Sequence, residues 1–352
     1  MNKKDLKKLT FLSVAVFIII ITLARGTAPA KADIELLPIT DSGMESIELV
    51  LEQTSDEEDT ESNAALLSGL SAGTQTVQVY LHATGKTVTL PLEEYITGVL
   101  AAEMPALFEP EALKAQAVAA RTYLYHRLEN GKCGRGGADI CTDSNHCQAW
   151  LSAAQQKSLW GENYTAYHEK IQTAVYQTAG KLLTYDGQPI NALYHAVSGG
   201  QTEDCAAVFS QSLPYLISVS SPGEQNDSNY QTEVTFTCAK LVSLLNSSFS
   251  KAKLTVSQLK SQCKIISYTE SGRADQVKIG KATVDATDLR LALGLKSTLF
   301  TIQFSGDTVT FHVKGYGHGV GMSQRGANTM AQQGSTYQEI LAHYYPGTTL
   351  QS

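Results

Sequence analysis

Glu103 lies in Leu100-Ala101-Ala102-Glu103-Met104-Pro105, among apolar neighbours and just before a proline that stops a helix. A carboxyl at such a junction can be partly desolvated, which raises its pKa and suits it to donate a proton near neutral pH. On residue type alone, an isolated glutamate at a helix end is more often a solvated or capping group. Glu109 and Glu111, around Pro110, are accounted for as favourable charges at the next helix N-terminus.

The six cysteines are Cys133, Cys141, Cys147, Cys205, Cys238 and Cys263, and an even count in an exported chain suggests disulfides. The run Cys141-Thr142-Asp143-Ser144-Asn145-His146-Cys147 nevertheless places two thiols and an imidazole in one short loop, with Cys133 a glycine-rich turn upstream. Such a set can hold zinc, with one position open or filled by a fourth ligand. A Cys141–Cys147 disulfide competes with that reading, and the spacing matches no common zinc finger.

Two glycine-rich loops complete the inventory. One runs from Tyr194 through His195, Ser198, Gly199, Gly200 and Thr202 to Glu203; the other runs from Gly315 through His318, Ser323 and Gln324 to Ala327. Glycines there let backbone amides approach a ligand, while Ser, Thr, Gln and Tyr supply directional hydrogen bonds of the kind that recognise sugars. The second loop lacks the Gly-Lys-Ser/Thr ending of a phosphate loop. His195 and His318 serve equally well as structural groups, and both loops as tight turns.

The elements that must position these groups begin at Thr76. Val77, Val79 and Leu81 alternate with polar residues, as do Val88 and Leu90 beyond Gly85, which predicts a β-hairpin. Pro91 opens a helix carrying Leu92, Tyr95, Ile96, Val99 and Leu100, and Pro105 ends it. A second helix, about 110–128, has a small-residue face suited to close packing. Further strands are expected at 181–185, 192–197, 299–304 and 308–313, and a final helix at 336–345. The expected fold class is α+β, mixed helices and antiparallel strands in a core domain spanning 76–350, with a second smaller lobe inserted at about 234–295.

The chain has 352 residues and a net charge of −7, with 43% hydrophobic and 17% charged residues. That composition excludes a disordered polyelectrolyte and a multi-span membrane protein, and the charge argues against nucleic-acid binding. Lys3, Lys4, Lys7 and Lys8 precede an uncharged apolar run from Phe11 to Ala24. Residues 1–32 therefore read as a basic cytoplasmic tail followed by a single membrane anchor or a signal peptide, with Ala30-Lys31-Ala32 resembling a cleavage site. Either way the remainder is exported, at the cell membrane or beyond it. Eleven acids and no Lys or Arg lie between Asp33 and Glu61, so 33–75 reads as a flexible acidic tether.

Residues 92–105 and Glu111-Ala112-Leu113-Lys114-Ala115-Gln116-Ala117-Val118-Ala119-Ala120-Arg121-Thr122-Tyr123 resemble the opening of the stage II sporulation protein D domain. The Ser198-Gly199-Gly200-x-Thr202-Glu203 loop and the Gly315–Ala327 loop resemble its later signatures. The resemblance implies a lytic transglycosylase that cuts septal peptidoglycan during engulfment of the forespore, with Glu103 as acid/base and peptide-free glycan strands as preferred substrate. It also implies a companion amidase and a polytopic membrane scaffold as partners. Arg121, Tyr194, Ser198, Gly199, Gly200, Thr202, His318, Ser323 and Gln324 would line the groove. Some members carry zinc on a Cys pair matching Cys141 and Cys147; His146 is then the expected further ligand and Cys133 the reserve. Three other readings stand beside this one, among them zinc itself as the catalyst. A hydrolase would use Glu203 or Asp204 as a second carboxylate, and a non-catalytic glycan-binding module would recruit or stimulate an amidase.

Overall fold

The computed structural model describes residues 75–351, which belong to one compact unit. The basic tail, the apolar segment and all of the acidic tether except Gln75 lie outside the described residues. Among the described residues, no helix is long and apolar enough to cross a membrane.

The described residues open with β1 (Thr76–Leu81) and β2 (Lys86–Pro91), antiparallel in the register Val79 opposite Val88. Helix α1 (Leu92–Glu103) follows directly, burying Tyr95, Ile96, Val99 and Leu100. It ends because Pro105 disfavours helical backbone at the preceding residue, and Met104 is extended. Helix α2 (Pro110–Asn130) starts with proline at its first position, where no amide is needed. Its buried alanines, among them Ala112, Ala115, Ala117 and Ala119, leave room for neighbours on several sides.

Strand β3 (Ile140–Cys141) then pairs parallel to β1, so the cysteine loop is anchored to the opening hairpin. Helices α3 (Ala153–Trp160) and α4 (Tyr164–Gln177) come next, with Ile171 and Val175 of α4 buried against the core. After β4 (Leu182–Tyr185) and β5 (Gln188–Pro189) comes β6 (Tyr194–His195), then the short α5 (Cys205–Phe209). The strand expected over 192–197 is only two residues long. The Gly199-Gly200 turn and an isolated bridge from Val197 to Tyr316 take over beyond it.

A second hydrophobic core is built from β7 (Gln231–Thr237), α6 (Cys238–Ser248), α7 (Leu259–Gln262), β8 (Cys263–Ile265), β9 (Gln276–Ile279), β10 (Ala282–Asp285), α8 (Ala286–Leu293), β11 (Phe300–Ser305) and β12 (Thr308–Lys314). Its centre holds Leu241, Val277, Leu289, Phe300 and Phe311, and its two antiparallel sheets run in the orders β10-β9-β8 and β11-β12-β7.

The chain then returns to the first core through β13 (Met322–Ser323), α9 (Gln324–Gln332), α10 (Tyr337–Tyr344) and β14 (Thr349–Gln351). Helix α2 is the hub, packing on α1, α4, α9 and α10. A Thr336–Glu339 capping box opens α10. The architecture is α+β, but the strands are not all antiparallel. β6 pairs parallel to β13, with Tyr194 opposite Met322 and His195 opposite Ser323, so the two glycine loops lie side by side.

Candidate active site

Glu103 is the last residue of α1 and sits where three segments meet. Its Oε1 accepts from the amide of Ala149 at 3.0 Å, and its Oε2 accepts from Nε2 of Gln324 at 3.3 Å, across 221 residues of chain. Burial raises the pKa of the carboxyl, and these two donors pull it back only in part.

Beside it, the buried Gln148 accepts from the Tyr95 hydroxyl at 3.0 Å and donates to the Tyr194 hydroxyl at 2.9 Å and to the carbonyl of Ala120 at 3.3 Å. Both phenols have pKa values raised chiefly by burial, with the Glu103 charge adding to the effect. Gly98 lets this segment pack closely, since a Cβ there would meet Nε1 of Trp150 at 2.1 Å. The amide of Leu151 donates to the Gly98 carbonyl at 3.0 Å.

The grip on Glu103 is continuous with the cysteine loop, because His146 and Cys147 run directly into Gln148 and Ala149. Nδ1 of His146 lies 3.5 Å from Sγ of Cys133, 3.4 Å from Sγ of Cys141 and 3.3 Å from Sγ of Cys147. All four donor atoms fall within 4.8 Å of one another, and all six cysteines are free. Tetrahedral zinc, with bonds of about 2.3 Å to sulfur and 2.0–2.1 Å to nitrogen, places S and N about 3.6 Å apart, so the residues present fit the ion.

Burial lowers the pKa of His146, with Arg135 and Arg127 acting in the same sense, which favours the neutral imidazole that binds metals. Burial also raises the Cys141 and Cys147 thiols, so metal binding would release protons. Asp143 braces the loop. It pairs with Arg135 at 2.8 Å and accepts from the amides of Asn145 and, through its carbonyl, Cys147. Cys133, held in reserve as a ligand, belongs to the cluster on equal terms with the other three.

The glycine-loop residues divide by direction. Gln324 reaches Glu103, and Tyr194 lies within the carboxylate's electrostatic range with its hydroxyl on Gln148, whereas Ser198, Gly199 and Ser323 face inward onto Glu224, a carboxylate that motif reasoning passed over. Its Oε2 accepts from the Ser198 amide, the Ser198 hydroxyl and the Gly199 amide at 2.9, 2.9 and 3.0 Å, and its Oε1 accepts from Ser221 and Ser323 at 2.9 and 2.5 Å. Gly200 donates back to the Ser198 hydroxyl at 3.0 Å. Thr202 is buried and exchanges hydrogen bonds with the backbone of Val219.

Arg121 does not face a groove. It is fully buried, with Nε and Nη2 on the two carboxylate oxygens of Glu93 at 3.0 and 2.5 Å. His318 is a neutral ring, its pKa pushed down to about 4 by burial and by Arg290 and Arg273. It accepts from the Val320 amide at 3.1 Å and packs against His195 and Phe209.

Neither candidate second carboxylate is free to act. Glu203 is 1% exposed; its Oε2 accepts from Thr269 and Ser271 at 2.6 and 2.7 Å, and Nε of Arg273 lies 3.9 Å away. Asp204 caps α5 by accepting from the Ala206 amide. Arg273 also donates through Nη2 to the carbonyls of Ser198 and Gln201 at 2.5 and 3.1 Å, so one buried cation from the second core holds the first glycine loop.

Comparison with known proteins accords with this arrangement. Residues 80–185 match the profile of a family described as SpoIID, Stage II sporulation protein. The chain is 39% identical over 282 residues to a protein named Stage II sporulation protein D from Bacillus subtilis (strain 168), covering 80% of each chain. It is 38% identical over 275 residues to the protein of the same name from Bacillus amyloliquefaciens, covering 78% of each. It is also 31% identical over 304 residues to a protein named Amidase enhancer from Bacillus subtilis (strain 168), covering 73% of this chain and 40% of that one. The profile match takes in the glutamate-ended helix and the cysteine loop, and the similarity to the sporulation proteins spans four-fifths of the chain, which belongs to the stage II sporulation protein D family.

Proposed function

We propose that the protein is a lytic transglycosylase that cleaves MurNAc-β-1,4-GlcNAc bonds of peptide-free peptidoglycan strands during endospore formation. The observation that carries this reading is Glu103, a carboxyl raised in pKa by burial and held by one backbone amide and one side-chain amide, while the two candidate second carboxylates, Glu203 and Asp204, are engaged elsewhere. An ordinary glycosidase needs two carboxylates. A transglycosylase needs one. The protonated acid gives its proton to the leaving glycosidic oxygen, and the resulting carboxylate takes the proton of the muramyl C6 hydroxyl. O6 then bonds to C1 and closes a 1,6-anhydro ring, with proximity standing in for the second group. Tyr194 and Gln324 orient the sugar and the carboxyl. The engagement of Glu203 with Thr269, Ser271 and Arg273 counts against the hydrolase reading.

Cys133, Cys141, His146 and Cys147 would hold a zinc ion that rigidifies the segment gripping Glu103. On this reading the lobe expected over about 234–295 is the second core, wider by the strands β7, β11 and β12 at its ends. The chain would be tethered to or exported across the cell membrane by residues 1–32, and would work beside an amidase that strips stem peptides and a membrane scaffold. The similarity to an amidase enhancer favours one alternative, a glycan-binding module that stimulates an amidase.

Mass spectrometry of peptide-free strands incubated with the full chain, wild type beside Glu103→Gln, separates these readings. Anhydro-muramyl ends from the wild type alone are expected. Reducing ends would make the enzyme a hydrolase, and binding without cleavage by either protein would make it the module.

A further inference from the structure

A cleft of about 200 Å³ opens between the C-terminal half of α2 and α5, lined by Tyr123, Arg127, Asn191, Leu193, Phe209 and Gln211. That is the liquid volume of about seven waters, the scale of a single substituted sugar ring. Three features of its wall leave binding capacity unfilled among the described residues. Arg127 has no carboxylate in ion-pair range among the described residues, and its Nε is shielded from solvent without a hydrogen-bond partner. Phe209 leaves 47% of its surface open, with its ring in a T-shaped contact with His318. The side-chain amides of Asn191 and Gln211 make no hydrogen bond among the described residues.

The cleft is also next to the reaction centre. Leu193 immediately precedes Tyr194, and Tyr123 shares an electrostatic environment with Tyr95, Tyr194 and the cysteine cluster. An unpaired guanidinium with an open aromatic face and two free amides suits a ligand that is at once a sugar, an amide and an anion.

We infer that this cleft is a subsite for an N-acetylated sugar bearing a free carboxylate, with Arg127 pairing the carboxylate and Phe209 meeting the ring. Resting on the glycan reading above, this identifies the ligand as a muramic acid whose lactyl group is unsubstituted. A stem peptide turns that carboxylate into an amide and removes the charge. Preference for stripped strands then arises at Arg127, apart from the cleaving carboxyl.

The test is equilibrium binding by the full chain carrying Glu103→Gln, which leaves strands uncut. The probes are peptide-free glycan strands and the same strands with their lactyl carboxylates reduced to alcohols. With Arg127 present, the carboxylate strands should bind about tenfold more tightly, the scale of one charged hydrogen-bonded pair. Arg127→Gln should remove that preference, leaving both strands at the weaker affinity, and Arg127→Lys should restore part of it. Phe209→Ala should weaken both strands equally. A tenfold preference that survives Arg127→Gln overturns the proposal. So does an Arg127→Gln chain with unchanged glycan binding but less bound zinc, which would make the arginine a counter-ion of the thiolates. If no strand binds and the wild type yields no anhydro product, the glycan reading itself has failed.

Discussion

Glu103 binds its proton more tightly in the folded protein than in the unfolded chain, because burial penalises the anion. Its contribution to stability is therefore complete below about pH 4.3, the unfolded value, and is lost as pH rises through the elevated folded value. Glu103→Gln should abolish turnover by about 10²–10⁴-fold while leaving the melting temperature at pH 7 equal to or above that of the wild type. That gap should close as the pH is lowered towards 4, as calorimetry across pH would show. A melting temperature that falls at pH 7 would mean the carboxylate is a structural anchor. The cysteine cluster makes a separate prediction. The purified chain should carry about one zinc by elemental analysis, and Cys133→Ser should reduce it as severely as Cys141→Ser, since both sulfurs lie equally close to His146. Chelation should lower the melting temperature and slow cleavage together, because the ligating loop runs into Gln148 and Ala149.

At the scale of elements, the site depends on a parallel contact only two residues long, β6 with β13. Gly321 makes that contact feasible. It has φ +72°, and a Cβ there would lie 2.0 Å from the Leu193 carbonyl. Gly321→Ala should cost on the order of 3 kcal/mol from backbone strain and overpacking combined. Through the displaced Leu193-Tyr194 segment it should also cost activity beyond what the lost stability explains. Denaturant titration beside initial rates at a temperature where the variant is fully folded checks both. Equal rates would show that Tyr194 need not be held so closely. The buried Arg121–Glu93 pair works at the same scale but joins helices, which explains a motif arginine that never reaches the groove.

For the whole molecule, two hydrophobic cores are coupled through a few buried polar links, of which Arg273 is central. It pairs with Glu203, holds the Ser198 and Gln201 carbonyls, and its guanidinium lies 2.8 Å from where a Cβ on Gly319 would stand. Arg273→Met leaves Glu203 buried without its cation, a loss of about 3–5 kcal/mol. Hydrogen exchange should then accelerate across 198–203 while α2, the hub of the first core, keeps its protection. Uniform loss of protection would show a single cooperative unit with no privileged link.

Periodicity and proline placement determined the opening hairpin, the two helices around Glu103, the final helix and the β11–β12 hairpin, because these are local consequences of alternation and of backbone amides missing at fixed points. Motif spacing likewise drew attention to Glu103, Gln324, Tyr194 and the Cys141–Cys147 loop. The short parallel strands, α3 and α4 were not legible, since two-residue strands have no period and α3 and α4 bury few of their residues. Which loop polar groups face Glu103 and which turn inward was equally hidden, because Glu224 and Arg273 recruit theirs from up to 99 residues away. Tertiary structure alone decided that Cys133 joins Cys141, His146 and Cys147 as a possible metal ligand, that Arg121 is internal and that Glu203 is occupied. Each of these follows from the cost of burying a polar group without a partner, which is settled only when distant segments meet.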